Sequence, residues 1–150
     1  MKSQRASAHP ADWIMEEHRE VRGMLLALEE LVVDPASAMG WRSRMVELLE
    51  ELRNLMDEHF SKEEGSDLFV EFPRRFPRFK AALECLKCEH PSLLRDARRL
   101  LDSSNECKDV DLPPRLNKLA RSLIRDMRRH ERAESELVQK AYGEDIGAAD

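Results

Sequence analysis

The chain has 150 residues, of which 41% are hydrophobic and 37% are charged, and its formal net charge is −5 at pH 7. These values predict a single domain that can bury a core without disulfides, and the negative charge argues against a general nucleic-acid-binding surface. No run approaches the roughly 18 apolar residues of a membrane span, and residues 1–10 lack the apolar segment of a signal peptide, so we expect a cytoplasmic protein.

Helix-favouring residues dominate the composition, and chain breakers divide the sequence into four predicted helices. These helices are expected at residues 10–33, 40–64 (or from 37), 78–101 and 113–142. The first should stop before Pro35, because a residue preceding proline is pushed out of the helical region. Gly65 and Gly143 should follow the second and fourth helices, and residues 102–105 should end the third. We therefore expect an all-α, antiparallel up-down-up-down four-helix bundle that forms one domain over residues 1–150, with a core at about 12–142 and flexible termini.

Each predicted helix carries an apolar stripe in which steps of four and three residues alternate. Six polar residues interrupt these stripes, namely His18, His59, Glu63, His90, His130 and Glu134. An unpaired polar group in an apolar core costs roughly 1–3 kcal/mol, so six of them could cancel the stability of a domain. Because neighbouring helices run in opposite directions, all six can lie in one layer toward the same end of the bundle. The pattern therefore indicates that something binds these side chains and neutralises them.

The spacing of the six residues favours a metal site. His59 with Glu63, and His130 with Glu134, are four residues apart, so each pair leaves one face of its helix. Imidazole and carboxylate together suit iron, zinc or manganese, and two facing glutamates can bridge two ions about 3.5–4 Å apart. A single inward histidine is more often a hydrogen-bonded core residue, but polar groups on all four helices argue against that reading. His9 lies near the chain terminus and is not expected to bind metal.

The cysteines and the connection at residues 65–77 are not expected to bind a ligand or a partner. Cys85, Cys88 and Cys107 are too few for a secreted disulfide framework. We expect ordinary thiols at or near a helix surface, although redox sensing by the CxxC pair remains an alternative. The connection at residues 65–77 is unusually apolar, and we expect it to cap the metal end of the bundle rather than to dock a partner. Its large apolar residues are Leu68, Phe69, Val70, Phe72 and Phe76.

The residues of the polar layer resemble the hemerythrin-like, or HHE cation-binding, family. Residues 59–64 read His-Phe-Ser-Lys-Glu-Glu, which matches the HFxxEE motif at the end of the family's second helix. A histidine in the first helix, a Glu-His pair in the third and HxxxE in the fourth also match, so the resemblance covers about residues 12–142. It implies an oxo- or hydroxo-bridged centre of two iron ions with four terminal histidines and two bridging glutamates. These ligands would be His18, His59, His90 and His130, with Glu63 and Glu134 as the bridges.

One departure from the family's oxygen carriers bears on function. Those proteins have five histidines, whereas Leu86 and Leu94 stand four residues before and after His90 here. The set of four histidines and two glutamates is similar to that of the family's iron–sulfur-cluster repair members. Glu64, five residues after His59, is expected to point away from the stripe.

The resemblance implies a protein that binds or senses a small diatomic molecule, dioxygen or nitric oxide. The net charge and the lack of a long apolar run predict neither a nucleic-acid nor a membrane partner. A di-iron enzyme of the peroxidase or oxidase type, or an iron donor in repair, is the alternative. A third hypothesis is that metal merely stabilises an interaction module, since a cation that binds only the folded state adds stability by mass action.

Overall fold

The computed structural model describes residues 10–37 and 40–147, and four long helices form its bundle. The helices are α1 (Pro10–Val33), α2 (Trp41–Glu64), α3 (Phe72–Arg75), α4 (Lys80–Glu106) and α5 (Pro114–Gly147). Short 3-10 turns occupy Pro35–Ser37 and Pro77–Phe79. Helix α1 packs against α2 and α5, and α4 packs against the same two, so the four long helices surround one core. The predicted all-α bundle is confirmed, and no strand occurs in the described ranges.

The predicted ends of the first two helices are confirmed. Helix α1 ends before Pro35, and the amide of Asp34 still donates to the Glu30 carbonyl at 3.0 Å. Helix α2 begins after Gly40, whose φ of +79° lies in the region that glycine adopts without steric cost. At its other end the Gly65 amide donates to the Ser61 carbonyl at 3.3 Å, which completes the last turn.

Two predicted helix ends were wrong. Helix α4 continues through residues 102–105, because Ser104 is fully buried and continues the inward stripe of Ala97 and Leu100. Helix α5 passes Gly143 and runs to Gly147, since a glycine inside a helix costs only about 1 kcal/mol relative to alanine. Gly143 is exposed, and nothing packed against it forces the chain to turn there.

The connection after α2 also differs from the loop that we predicted, because it contains the short helix α3. Leu68 is fully buried and Phe72 is 6% exposed, and these two residues anchor the connection over the end of the bundle. They pack with Phe79 of the following 3-10 turn and with apolar residues of α1, α4 and α5. That small cluster comprises Ile14, Leu68, Phe72, Phe79, Leu83, Val138 and Ala141. The predicted capping role is confirmed, although Val70 remains 39% exposed.

The polar layer lies between two apolar clusters. The small cluster covers one side, and the larger cluster covers the other, where it runs from Val21 to Val32 on α1 and from Leu116 to Met127 on α5. Cys85 and Cys88 are exposed free thiols, as predicted for surface cysteines, whereas Cys107 is buried and does not fit that prediction. Among the described residues, no helix is sufficiently long and apolar to cross a membrane. His9 and part of the termini that we expected to be flexible lie outside the described residues.

Candidate metal centre

The six polar residues of the stripes form one buried layer across the bundle. Helix α1 contributes His18, α2 contributes His59 and Glu63, α4 contributes His90, and α5 contributes His130 and Glu134. None of the six residues is more than 3% exposed. Apolar residues one turn before and after them are buried as well, such as Ile14 and Val21 around His18. Packing of the apolar stripes therefore turns the polar side chains inward.

The first group of donors consists of His18, His59, Glu63 and Glu134, whose ligand atoms lie within 4.8 Å of one another. His18 Nε2 lies 2.7 Å from Glu134 Oε1 and 3.9 Å from Glu63 Oε1. His59 Nε2 lies 3.6 Å from Glu134 Oε1 and makes a close contact with Glu63 Oε1. Two imidazoles and two carboxylates at these separations could hold one metal ion.

The second group consists of His90, His130 and Glu134, whose ligand atoms also lie within 4.8 Å of one another. His130 Nε2 lies 3.3 Å from Glu134 Oε2. His90 Nε2 lies 3.6 Å from Glu63 Oε2, so the second carboxylate is close to this group too. These donors could hold a second ion.

Glu63 and Glu134 divide their oxygens between the two groups. In both residues, Oε1 faces the pair formed by His18 and His59. Their Oε2 atoms face the other side, where Glu63 approaches His90 and Glu134 approaches His130. Carboxylates that bridge two neighbouring ions need this division of oxygens.

Most of the inward-facing atoms have no hydrogen bond from any residue that the structure describes. The buried atoms without a partner include His59 Nε2, His90 Nε2, His130 Nε2, both carboxyl oxygens of Glu63 and Glu134 Oε2. Leaving a buried donor or acceptor unsatisfied costs about 1–3 kcal/mol for each group, and more when the group is charged. A cation at each group would pair with these atoms, so the donor set fits two metal ions.

The buried layer shifts the pKa values of its own side chains. Burial raises the pKa of Glu63 well above its usual value, and the adjacent Glu134 carboxyl raises it further. Burial would also raise the pKa of Glu134, but its contacts with Glu63 and the histidines outweigh burial and hold that pKa well below its usual value. For His18, burial is outweighed by contacts with Glu134 and Glu63, which raise its pKa to about 9. The metal-free layer therefore holds protons at atoms that a cation would need.

Each histidine is oriented by a partner on its outward nitrogen. The Nδ1–H of His59 donates to Glu17 at 3.4 Å, that of His90 to Glu64 at 3.4 Å, and that of His130 to Glu89 at 2.5 Å. His18 Nδ1 lies 3.1 Å from the hydroxyl oxygen of Ser135. A proton on Nδ1 leaves the lone pair of Nε2 pointing into the layer, as metal binding through Nε2 requires.

The sequence prediction did not include these outward partners, although their positions follow a simple rule. Each partner is the chain neighbour of a layer residue, and it serves the histidine of the next helix around the bundle. The partners are Glu17 before His18, Glu64 after Glu63, Glu89 before His90, and Ser135 after Glu134. Glu64 points away from the stripe, as predicted, but it is half-buried and contacts His90.

Aromatic rings enclose the layer and limit its contact with water. Phe60 stacks on His90 with ring centroids 3.9 Å apart and an interplanar angle of 5°, and it meets His130 edge-on at 5.6 Å. Trp13 lies edge-on to His59, with 6.1 Å between ring centroids. Phe69 of the connection reaches His90 at 6.1 Å, so the cap contributes directly to the surroundings of the layer.

Comparison with known proteins supports the assignment of this layer as a cation-binding site. The family described as the hemerythrin HHE cation binding domain matches residues 9–142. No curated protein and no solved structure matches the chain. The family match spans the four long helices up to Tyr142 and includes all six residues of the layer. The chain therefore belongs to the hemerythrin HHE cation-binding domain family.

Proposed function

We propose that this protein holds two iron ions and binds dioxygen or nitric oxide at them. One ion would be held by His18 and His59 and the other by His90 and His130. Glu63 and Glu134 would bridge the two ions. The division of each carboxylate between the two histidine pairs carries the proposal, because it is the feature that a hydrogen-bonded core would not need.

The iron ions would supply reversible redox chemistry and open coordination positions for a small molecule. The protein supplies the orientation of the ligands, since the outward partners hold each imidazole with Nε2 directed inward. The stacked and edge-on rings of Phe60 and Trp13 keep bulk water from the layer. Among the described residues, neither histidine pair has a third imidazole, and on α4 Leu86 and Leu94 stand at the positions four residues from His90. A coordination position would therefore be open to an external ligand.

Metal analysis tests the ligand set. The purified protein, reconstituted with ferrous iron, should contain about two iron ions per chain. His59→Ala and Glu134→Ala should each lose most of this iron, because each removes a donor from the centre. Glu136→Ala is the matched control, since Glu136 is an exposed carboxylate on the same helix. Full iron content in both ligand variants would contradict the proposal.

The binding function needs its own measurement. The reduced, iron-loaded protein should change its near-ultraviolet and visible spectrum when dioxygen or nitric oxide is added. The change should be absent in Glu134→Ala and present in Glu136→Ala. Catalytic turnover of peroxide would instead favour the enzyme hypothesis, and release of iron to an acceptor protein would favour an iron donor. Unchanged spectra with both gases would overturn the proposal of gas binding.

A further inference from the structure

Glu131 is a buried carboxyl group beside the metal layer that the proposed ligand set does not use. It lies on α5 between His130 and Glu134, and its side chain is only 6% exposed. Its Oε1 atom is inaccessible to solvent and has no hydrogen-bond partner among the described residues. A buried carboxyl oxygen without a partner lowers stability, so packing alone gives no reason for glutamate at this position.

A cleft between α1 and α5 leads from the surface to this carboxyl group. Its volume is about 410 Å³. Buried His18 and Glu131 lie at its inner end, and exposed Arg22 and Gln139 lie along its rim. The cleft therefore reaches from solvent to His18 and Glu131 on the outer side of the layer.

The neighbouring basic and hydroxyl groups are directed elsewhere and leave Glu131 Oε1 free. The Nε–H of Arg22 donates to the backbone carbonyl of His18 at 3.3 Å. Arg128, which also lines the cleft, pairs with Glu29 of α1. The Ser135 hydroxyl contacts His18 Nδ1 at 3.1 Å, so this histidine does not need Glu131 as its outward partner.

We propose that this cleft is the entrance through which small molecules reach the metal centre, and that Glu131 is a positioning residue there. Its free oxygen accepts a hydrogen bond from a small molecule that carries an O–H group, such as water or hydrogen peroxide. A molecule without such a hydrogen, such as nitric oxide, gains nothing from Glu131. This role rests on the proposed function, because it requires a metal centre to which the cleft leads.

Ligand binding to the iron-loaded protein tests the hydrogen bond. Hydrogen peroxide and nitric oxide are titrated separately, and the dissociation constants are taken from the initial difference spectra. Glu131→Leu should weaken the binding of hydrogen peroxide about fivefold, which corresponds to the loss of one ordinary hydrogen bond, and should leave nitric oxide unaffected. Glu131→Gln should bind both ligands nearly as the parent does, since its amide oxygen still accepts a hydrogen bond. Glu136→Leu, which removes an exposed carboxylate that lines the same cleft, should resemble the parent.

The stability of the metal-free protein provides a second readout that does not depend on activity. Because the Oε1 atom of Glu131 has no partner, Glu131→Leu should unfold at the same urea concentration as the parent or at a higher one. A residue with a merely structural role would show the opposite shift. The role of Glu131 is overturned if the leucine variant unfolds at a lower urea concentration, if it weakens both ligands equally, or if it binds hydrogen peroxide as the parent does.

The entrance is tested by closing it. Gln139→Trp places a large ring at the rim of the cleft and should slow the association of both ligands in stopped-flow experiments. Lys140→Trp is the matched control, because Lys140 is exposed on the same helix but does not line the cleft. Equal association rates in the parent and Gln139→Trp would show that ligands enter elsewhere, which overturns this part of the proposal.

Loss of the metal centre and loss of the Glu131 hydrogen bond give different results in these experiments. If the parent protein retains no iron, or binds neither dioxygen nor nitric oxide, the proposed function is wrong and the role of Glu131 is wrong with it. If the parent and Glu136→Leu bind iron and both ligands, while Glu131→Leu also binds hydrogen peroxide with parental affinity, only the role of Glu131 is wrong.

Discussion

At the scale of single residues, the layer depends on side chains that follow or precede its histidines and glutamates in the chain. Glu17, Glu64 and Glu89 each accept the Nδ1–H of a histidine on the next helix. Ser135 of α5 makes the corresponding contact with Nδ1 of His18 on α1. These contacts determine which ring nitrogen is free for metal and how the ring is turned. A carboxylate partner also increases the basicity of the ring, so its charge contributes to metal affinity.

The charge of Glu89 should therefore matter for metal binding even though Glu89 does not face the layer. Glu89→Gln removes the charge next to His130 Nδ1 and should lower the affinity for metal about 10- to 100-fold. Competition with a coloured chelator measures this affinity. Glu84→Gln, an exposed position on the same helix, should have the affinity of the parent, and an unchanged affinity in Glu89→Gln would contradict the prediction.

Metal binding should also release protons. The pKa of His18 in the folded, metal-free protein is raised from 6.5 to about 9, so this proton stabilises the metal-free fold fully below pH 6.5 and ceases to do so as the pH rises through 9. A metal ion must displace the same proton, so its affinity should increase with pH across this window. A pH indicator in weakly buffered solution at pH 7.5 should report proton release when metal is added. Release should be smaller in His18→Gln, and no release from the parent would contradict the prediction.

At the scale of helices, local chemistry explains where the elements begin and end, except where packing overrides it. Gly40 starts α2 with a positive φ, and Pro35 stops α1. Pro91 lies inside α4, directly after His90. The proline lacks the amide that would bond to the Lys87 carbonyl, but it is exposed, and water can satisfy that carbonyl on the solvent side. The inward stripe of α4 therefore continues past the proline, and His90 stays in its place.

Two glycines should respond to alanine in opposite directions. Gly23 lies in the exposed middle of α1, and an added Cβ would meet nothing within 4 Å, so Gly23→Ala should raise the free energy of unfolding by about 0.5–1 kcal/mol. Gly40 has a φ of +79°, so Gly40→Ala should lower the free energy of unfolding by about 1–2 kcal/mol. Urea unfolding of the metal-free protein measures both changes. A shift of the same sign in the two variants would contradict this account of the helix boundaries.

At the scale of the whole molecule, the polar layer separates the two apolar clusters and links all four long helices. Without a cation, the helices meet there through unpaired buried atoms, which oppose folding. With cations, the same atoms hold α1, α2, α4 and α5 together. The free energy of unfolding should therefore be markedly higher with metal than without it.

Removal of metal tests this dependence. A ligand that binds only the folded state stabilises it by about 2.7 kcal/mol when its free concentration is one hundred times its dissociation constant. The iron-loaded protein should therefore melt at a higher temperature than the chelator-treated protein. His59→Ala should melt at nearly the same temperature with and without iron, because one donor is missing. Equal melting temperatures for the two forms of the parent would contradict the prediction.

The sequence alone was sufficient for the four helices, for the inward stripes and for the six residues that the structure gathers into one layer, because helical periodicity places residues 3–4 apart on one face. The helix ends at residues 102–105 and at Gly143 were wrong, since burial of Ser104 and the continued hydrogen bonding of α5 outweighed local propensity. Only the tertiary structure decided how Glu63 and Glu134 divide their oxygens between the histidine pairs, which outward partner each ring has, and that Glu131 is buried beside a cleft. These features depend on the distances between side chains of different helices, and no pattern within one helix contains those distances.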